Sequence, residues 1–189
     1  MTRVKICGVA RAEDAEAAAE AGADAVGFVF EPGSPRYVGR STDLHLALPP
    51  YVVSVAVFGP FLPDAGATGF DRIQYLSGSP TGRLIRAFRL GETPLAEIVA
   101  HRSSPILIDA FHSEQFGGTG ERADWEAVAQ IVRSASVPVI LAGGLTPDNV
   151  AEAIRIVRPY AVDVSSGVEA SPGVKDHAQI RDFIAAARS

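Results

Sequence analysis

The sequence predicts an α/β protein built as a compact, closed (β/α)8 barrel, and three observations carry that expectation. Eight strand candidates recur along the chain, alternating with helical patterns or with shortened connections. Five of their C-terminal tips, where barrel enzymes place their chemistry, carry something reactive or ligand-shaped. These are Cys7, Arg36 in the loop after strand two, Asp109, the Gly143-Gly144 turn and Asp163-Val164-Ser165-Ser166. The last two candidates end in small-residue turns, Gly143-Gly144 and Ser165-Ser166-Gly167. The loops after strands seven and eight often hold a phosphate in such barrels. A doubly wound open sheet is the alternative, but 189 residues leave little chain for two helix layers over eight parallel strands.

Residues 3–7 form the first strand. Their alternation sets Val4 and Ile6 on one face and Arg3, Lys5 and Cys7 on the other, so Lys5 and Cys7 would point inward at the strand's end. Residues 13–21 read as an Ala/Glu helix closed by Gly22. Strand two spans 25–30 and runs into a Pro/Gly loop that carries Arg36. Residues 42–48 leave room only for a short helix before Pro49-Pro50, and 52–58 make strand three.

The stretch 59–70 holds two prolines and three glycines, and 77–83 is equally broken, so helices three and four are expected to be shortened or missing. Strands four and five fall at 71–76 and 84–88. Thr93-Pro94 opens a helix with Leu95, Ile98 and Val99 on one face. Strand six, 105–110, leads into a long polar loop whose Gly117-Gly118-Thr119-Gly120 reads as a flexible lid. Trp125, Val128, Ala129 and Val132 form the next helical stripe. Strand seven is 139–142. Thr146 then reads as an N-cap with Pro147 at the first helical position, ahead of the stripe Val150, Ile154, Val157. Strand eight is 162–164, and 176–188 closes the chain with Ile180, Phe183, Ile184 and Ala187 inward. One domain spanning 1–189 is expected.

Composition narrows the function. A hydrophobic fraction of 47% and a charged fraction of 21% are ordinary for a globular protein. The net charge of −5 and the scattered basic residues give no footprint for nucleic acid. No apolar run approaches the length of a membrane span, and the N-terminus lacks a secretory core. The single cysteine excludes an internal disulfide framework and fits a reducing cytoplasm. His45, His101, His112 and His177 have no ligand spacing, so no metal site is expected.

Cys7 has the chemistry of a nucleophile or a general base, and Lys5 beside it is expected to lower its pKa toward neutrality. The plainer alternative is a small buried thiol. Asp109 is either a helix cap or loop ion-pair partner, or a half-buried acid at the barrel mouth. Asp163 has inward parity and either reacts or orders a neighbouring loop. Arg36, between Pro35 and Tyr37, suits bidentate binding of a carboxylate, against the alternative of a solvated loop residue. Gly143, Gly144, Ser165, Ser166 and Gly167 form the candidate cradle for a small phosphorylated molecule.

The stretches VKICGVAR, EAGADAVGFVF, SPRYV, ILIDAF, FGGTG followed by ADW, ILAGGLTPDNVAEAI and VDVSSGVEASPGVKD occur in this order over almost the whole chain. Together they resemble phosphoribosylanthranilate isomerase of tryptophan biosynthesis, a TIM-barrel family. The resemblance implies a cofactor-free Amadori rearrangement of N-(5'-phosphoribosyl)anthranilate. It assigns Cys7 as general base, Asp109 as general acid, Arg36 to the anthranilate carboxylate, and the two small-residue turns to the phosphate. The sequence departs from the family at Gln74-Tyr75-Leu76-Ser77-Gly78, where a histidine is usual, and at Arg86, where a lysine is usual. Two further readings are a bifunctional enzyme that also takes the histidine-pathway aminoaldose, with Gly78-Ser79 as a second anion turn, and a catalytically silent phosphosugar-binding paralogue. The sequence leaves the oligomeric state open.

Overall fold

The computed structural model describes residues 1–39, 42–59, 69–78, 82–110 and 124–189. Eight parallel strands close into a barrel in sequence order: β1 (Arg3–Ile6), β2 (Ala25–Val29), β3 (Val53–Val57), β4 (Arg72–Tyr75), β5 (Leu84–Arg89), β6 (Ile106–Asp109), β7 (Val139–Ala142) and β8 (Ala161–Val164). The seam between β8 and β1 pairs Lys5 with Asp163 and Ile6 with Val164. Among the described residues, five α-helices lie outside: α1 (Ala12–Glu20), α2 (Leu95–Ala100), α3 (Trp125–Ser134), α4 (Val150–Val157) and α5 (His177–Arg188). After β8 the chain makes a small antiparallel hairpin, β9 (Glu169–Ser171) and β10 (Val174–Lys175), that the strand pattern did not predict.

Strand alternation divides the apolar residues into two cores. Val4, Ile6, Phe28, Ile106, Ile108 and Leu141 face the helix layer. Val55, Ile85, Ala87, Leu107 and Ile140 fill the barrel interior. Arg86, which alternates with inward-facing Ile85 and Ala87, stacks over the rings of Tyr75 and Phe88 on the outer side.

The described residues of the β3–β4 and β4–β5 connections contain no helix; 60–68 and 79–81 lie outside the described residues. Aromatic side chains cover the barrel there. Phe70 sits on Phe28 and Phe30, with centroid distances of 5.7 and 5.5 Å, and His45 covers it at 4.4 Å. These rings bury apolar strand surface on that side of the barrel.

Two local expectations need correction. Thr146 does not cap α4, which begins at Val150. The preceding residues form a turn in which Asn149 reaches back: its Oδ1 accepts from the Thr146 amide at 2.8 Å and its Nδ2 donates to the Gly144 carbonyl at 2.9 Å. A side chain that holds the Gly-Gly turn thus takes precedence over an earlier helix start. In α2, Ile98 is buried and Val99 packs against the same core, but Leu95, the first residue of the helix, is exposed.

Asp14 of α1 fastens the two ends of the chain together. Its buried carboxylate accepts from Arg11 at 2.7 and 2.9 Å, from the Lys175 amide at 3.3 Å, and pairs with His177 at 2.8 Å. Burial opposes its ionisation, but the Arg11 and His177 contacts and the amide outweigh that and hold its pKa below the usual carboxylate value. A depressed pKa contributes stability that is present above the unfolded value and is lost as pH falls through the folded one. Asp14→Asn is therefore expected to cost about 2–3 kcal/mol at pH 7. The difference from wild type should shrink below about pH 4, as urea unfolding at both pH values would measure.

Candidate active site

The C-terminal rim brings the predicted residues onto five strands that are consecutive around the barrel, in the order β6, β7, β8, β1, β2. Asp109 ends β6 in register with Ala142, the residue before Gly143-Gly144. Ser165, Ser166 and Gly167 follow β8, and Cys7 follows β1, its amide bonded to the Val164 carbonyl at 2.8 Å. Arg36 lies in the loop after β2, anchored by the bridge from Tyr37 back to Val29. The proposed lid, Gly117-Gly118-Thr119-Gly120, and Ser79 of the second anion turn lie outside the described residues.

Beneath the rim, a polar layer crosses the barrel. Lys5 Nζ donates to Asp163 Oδ1 at 2.9 Å and to Gln74 Oε1 at 3.1 Å, and all three side chains are buried. Burial lowers the Lys5 pKa, but Asp163 and then Cys7 outweigh it, so the net direction is upward and the ammonium is retained. Asp163 is thus placed to order Lys5 from below the rim.

The expected direction for Cys7 is reversed. Burial pushes its thiol up, Asp163 adds to that, and the opposing cations Lys5 and Lys175 do not cancel them. Lys5 is one neighbour, whereas burial acts from every side. The thiol and the Lys5 ammonium share the space left by Gly27 on β2. A Cβ there would lie 2.9 Å from Cys7 Sγ and 3.1 Å from Lys5 Nζ. Gly27→Ala is expected to displace the thiol, lowering kcat roughly 10- to 100-fold and stability by about 1–3 kcal/mol. Steady-state kinetics and thermal melts would check both.

The two turns are close-packed. Gly143 and Gly144 have φ of 95° and 65°, the left-handed region that glycine tolerates. A Cβ at Gly167 would collide with the Leu145 carbonyl, so the turn after β8 rests directly on the segment after β7. Gly8, with φ of 71°, separates Arg36 from Ser165, and a Cβ there would strike Arg36 Cδ and come within 2.8 Å of Ser165 Oγ.

Sequence reasoning missed two charged residues at this rim. Arg36 is engaged rather than solvated: Nε donates to Glu169 Oε1 at 2.8 Å and Nη2 to Oε2 at 2.7 Å. Lys175 Nζ donates to the same Oε1 at 2.8 Å and to the Ser165 carbonyl at 3.0 Å. Burial disfavours the Glu169 carboxylate, but Arg36 and Lys175 overcome that and hold its pKa below the usual value. Both residues lie on the β9–β10 hairpin, and the one signal for it in the sequence is the Pro172-Gly173 turn, since Glu, Ala and Lys around it are poor strand formers.

A separate cavity of about 280 Å³ opens at the opposite, N-terminal end, lined by Arg3, Val53, Arg72, Ile140 and Tyr160. The reactive side chains lie at the other end, where barrel enzymes work. Among the described residues, no three His, Cys, Asp or Glu side chains converge as metal ligands, and no helix is long and apolar enough to cross a membrane.

Closed parallel barrel and reactive rim together define a (β/α)8-barrel enzyme. Comparison with known proteins gives the family. The model of N-(5'-phosphoribosyl)anthranilate (PRA) isomerase matches residues 80–186. The N-(5'-phosphoribosyl)anthranilate isomerase of Geobacter sp. (strain M21) is 44% identical, covering 100% of this chain and 98% of its own. That of Pseudomonas fluorescens is 46% identical over 98% of both chains. The crystal structure of the Thermotoga maritima phosphoribosyl anthranilate isomerase superposes with a TM-score of 0.87 at 39% identity, covering 100% and 99% of the two chains. A further isomerase structure, in complex with reduced 1-(o-carboxyphenylamino)-1-deoxyribulose 5-phosphate, has a TM-score of 0.84 at 38% identity and covers 100% and 99%. The chain belongs to the N-(5'-phosphoribosyl)anthranilate isomerase family, the isomerases of tryptophan biosynthesis.

Proposed function

We propose that this chain, as one domain spanning 1–189, converts N-(5'-phosphoribosyl)anthranilate to 1-(2-carboxyphenylamino)-1-deoxyribulose 5-phosphate in the cytoplasm. The observation that carries the reading is the run of five consecutive strand ends bearing Asp109, Gly143-Gly144, Ser165-Ser166-Gly167, Cys7 and Arg36. A substrate with a phosphate at one end and an aromatic carboxylate at the other needs two anchors with acid and base between them.

In this reading, the amides and hydroxyls of the two turns hold the phosphate, and Arg36 holds the anthranilate carboxylate. Asp109 protonates the furanose oxygen as the C1'–O bond breaks, leaving an iminium at C1'. The Cys7 thiolate then takes the C2' proton, and the electrons neutralise the iminium nitrogen as the C1'=C2' double bond of an enolamine. Tautomerisation delivers a proton to C1' and leaves the carbonyl at C2'. C1' is reduced as C2' is oxidised, so the reaction balances within the substrate. Asp163 acts through Lys5, keeping an ammonium under the thiolate as it forms.

Loss of anthranilate fluorescence on incubating the purified chain with the phosphoribosyl substrate tests the proposal. Turnover supports it. Binding of the phosphorylated ligand with no turnover would leave a phosphosugar-binding protein.

A further inference from the structure

We propose that Glu169, gripped by Lys175 on the β9–β10 hairpin, is the positioning residue that aims Arg36 at the substrate carboxylate. The inference rests on Arg36 being the carboxylate anchor proposed above. A guanidinium has five N–H donors. Glu169 takes the Nε hydrogen and one on Nη2, at 2.8 and 2.7 Å. That uses the lateral edge and leaves the Nη1/Nη2 edge, itself suited to a second carboxylate.

Glu169 is fixed on its other side. Its side chain is 4% exposed and that of Lys175 0%, and the Lys175 ammonium ties Oε1 to the Ser165 carbonyl. The tip of the hairpin is pressed against the arginine's own loop: a Cβ on Gly173 would come within 2.7 Å of the Pro35 carbonyl. The Arg36 stem runs over Gly8. The guanidinium is therefore gripped along its stem and one edge, and a long side chain loses its rotamer freedom before substrate arrives. The charges are also balanced for the task. Two cations flank one carboxylate, so the cluster keeps a net positive charge for an incoming anion. Lys175 joins this support to Ser165, and so couples the carboxylate end of the site to the phosphate end.

Reduced 1-(o-carboxyphenylamino)-1-deoxyribulose 5-phosphate is the probe, bound at equilibrium to folded wild type, Glu169→Gln, Arg36→Gln and the double variant. Glu169→Gln should weaken binding roughly tenfold, the scale of one charge-assisted hydrogen bond, and raise KM with kcat little changed. In the Arg36→Gln background it should add less than about twofold, because coupled residues are non-additive. Unweakened or tighter binding by Glu169→Gln, or losses that simply multiply, overturns the proposal while leaving the anchor intact. Wild-type binding by Arg36→Gln overturns the anchor itself, and this proposal with it. Should Glu169→Gln fail to fold, Glu169→Asp carries the same test on a shorter arm. A loss confined to the Arg36 background supports positioning, and an equal loss in both backgrounds contradicts it.

Discussion

Cys7→Ser is expected to lower kcat roughly 10²–10⁴-fold, the span of a lost general base, with KM within a few-fold of wild type. The anchors explain the second half: Arg36 and both small-residue turns are untouched by the change. The first half follows from acidity. A serine hydroxyl is a far weaker acid than a thiol, and Lys5 and Lys175 do not offset the unfavourable surroundings even for the thiol. Burial and Asp163 already hold the Cys7 thiol above its ordinary value, so a less acidic group in the same place ionises to no useful extent. The same balance predicts how Cys7 reacts in the free enzyme. The thiolate is the reactive form, so a raised pKa moves alkylation to higher pH. Because the chain has one cysteine, iodoacetamide labelling reads this site alone.

Asp109→Asn should produce a loss of similar size, roughly 10²–10⁴-fold in kcat, for a different reason. Asparagine keeps the shape of the side chain at the end of β6, beside the Gly143-Gly144 turn, but has no acidic proton for the ring oxygen. Ring opening then becomes the slow step, and substrate binding is preserved. The pH profiles separate the two roles. With acid and base both present, kcat/KM follows a bell whose limbs belong to the pair. With the acid removed, the residual kcat/KM should rise with pH as the Cys7 thiol ionises. The double variant should be little worse than the weaker single one, since the two groups serve one reaction sequence.

Much of this site was legible because barrel chemistry sits at strand ends and strand parity is strict. The alternation of residues 3–7 is enough to turn Lys5 and Cys7 inward, and the β8 register with β1 places Asp163 beside Lys5. The Glu169 support was not legible. Its contact with Arg36 joins residues 133 apart in sequence, and the hairpin that carries it has strands too short for a periodic signal. The sign of the Cys7 shift was hidden for a related reason: the sequence displays the nearby lysine but not the burial or the carboxylate across the seam. Thr146-Pro147 has the chemistry of a helix start, yet Asn149 uses the same residues to brace the Gly-Gly turn. Nothing in the sequence marks Gly27 within strand two, because the thiol and ammonium that occupy the space of its missing side chain come from β1 and its C-terminal end.

The central claim is that Cys7 is the base. It is tested most directly by laying the pH dependence of the residual kcat/KM of Asp109→Asn over that of Cys7 alkylation in the same protein, since both report the free enzyme. The two curves should rise together and share one midpoint above the ordinary thiol value. A residual kcat/KM that stays flat across the range in which Cys7 ionises would contradict the assignment.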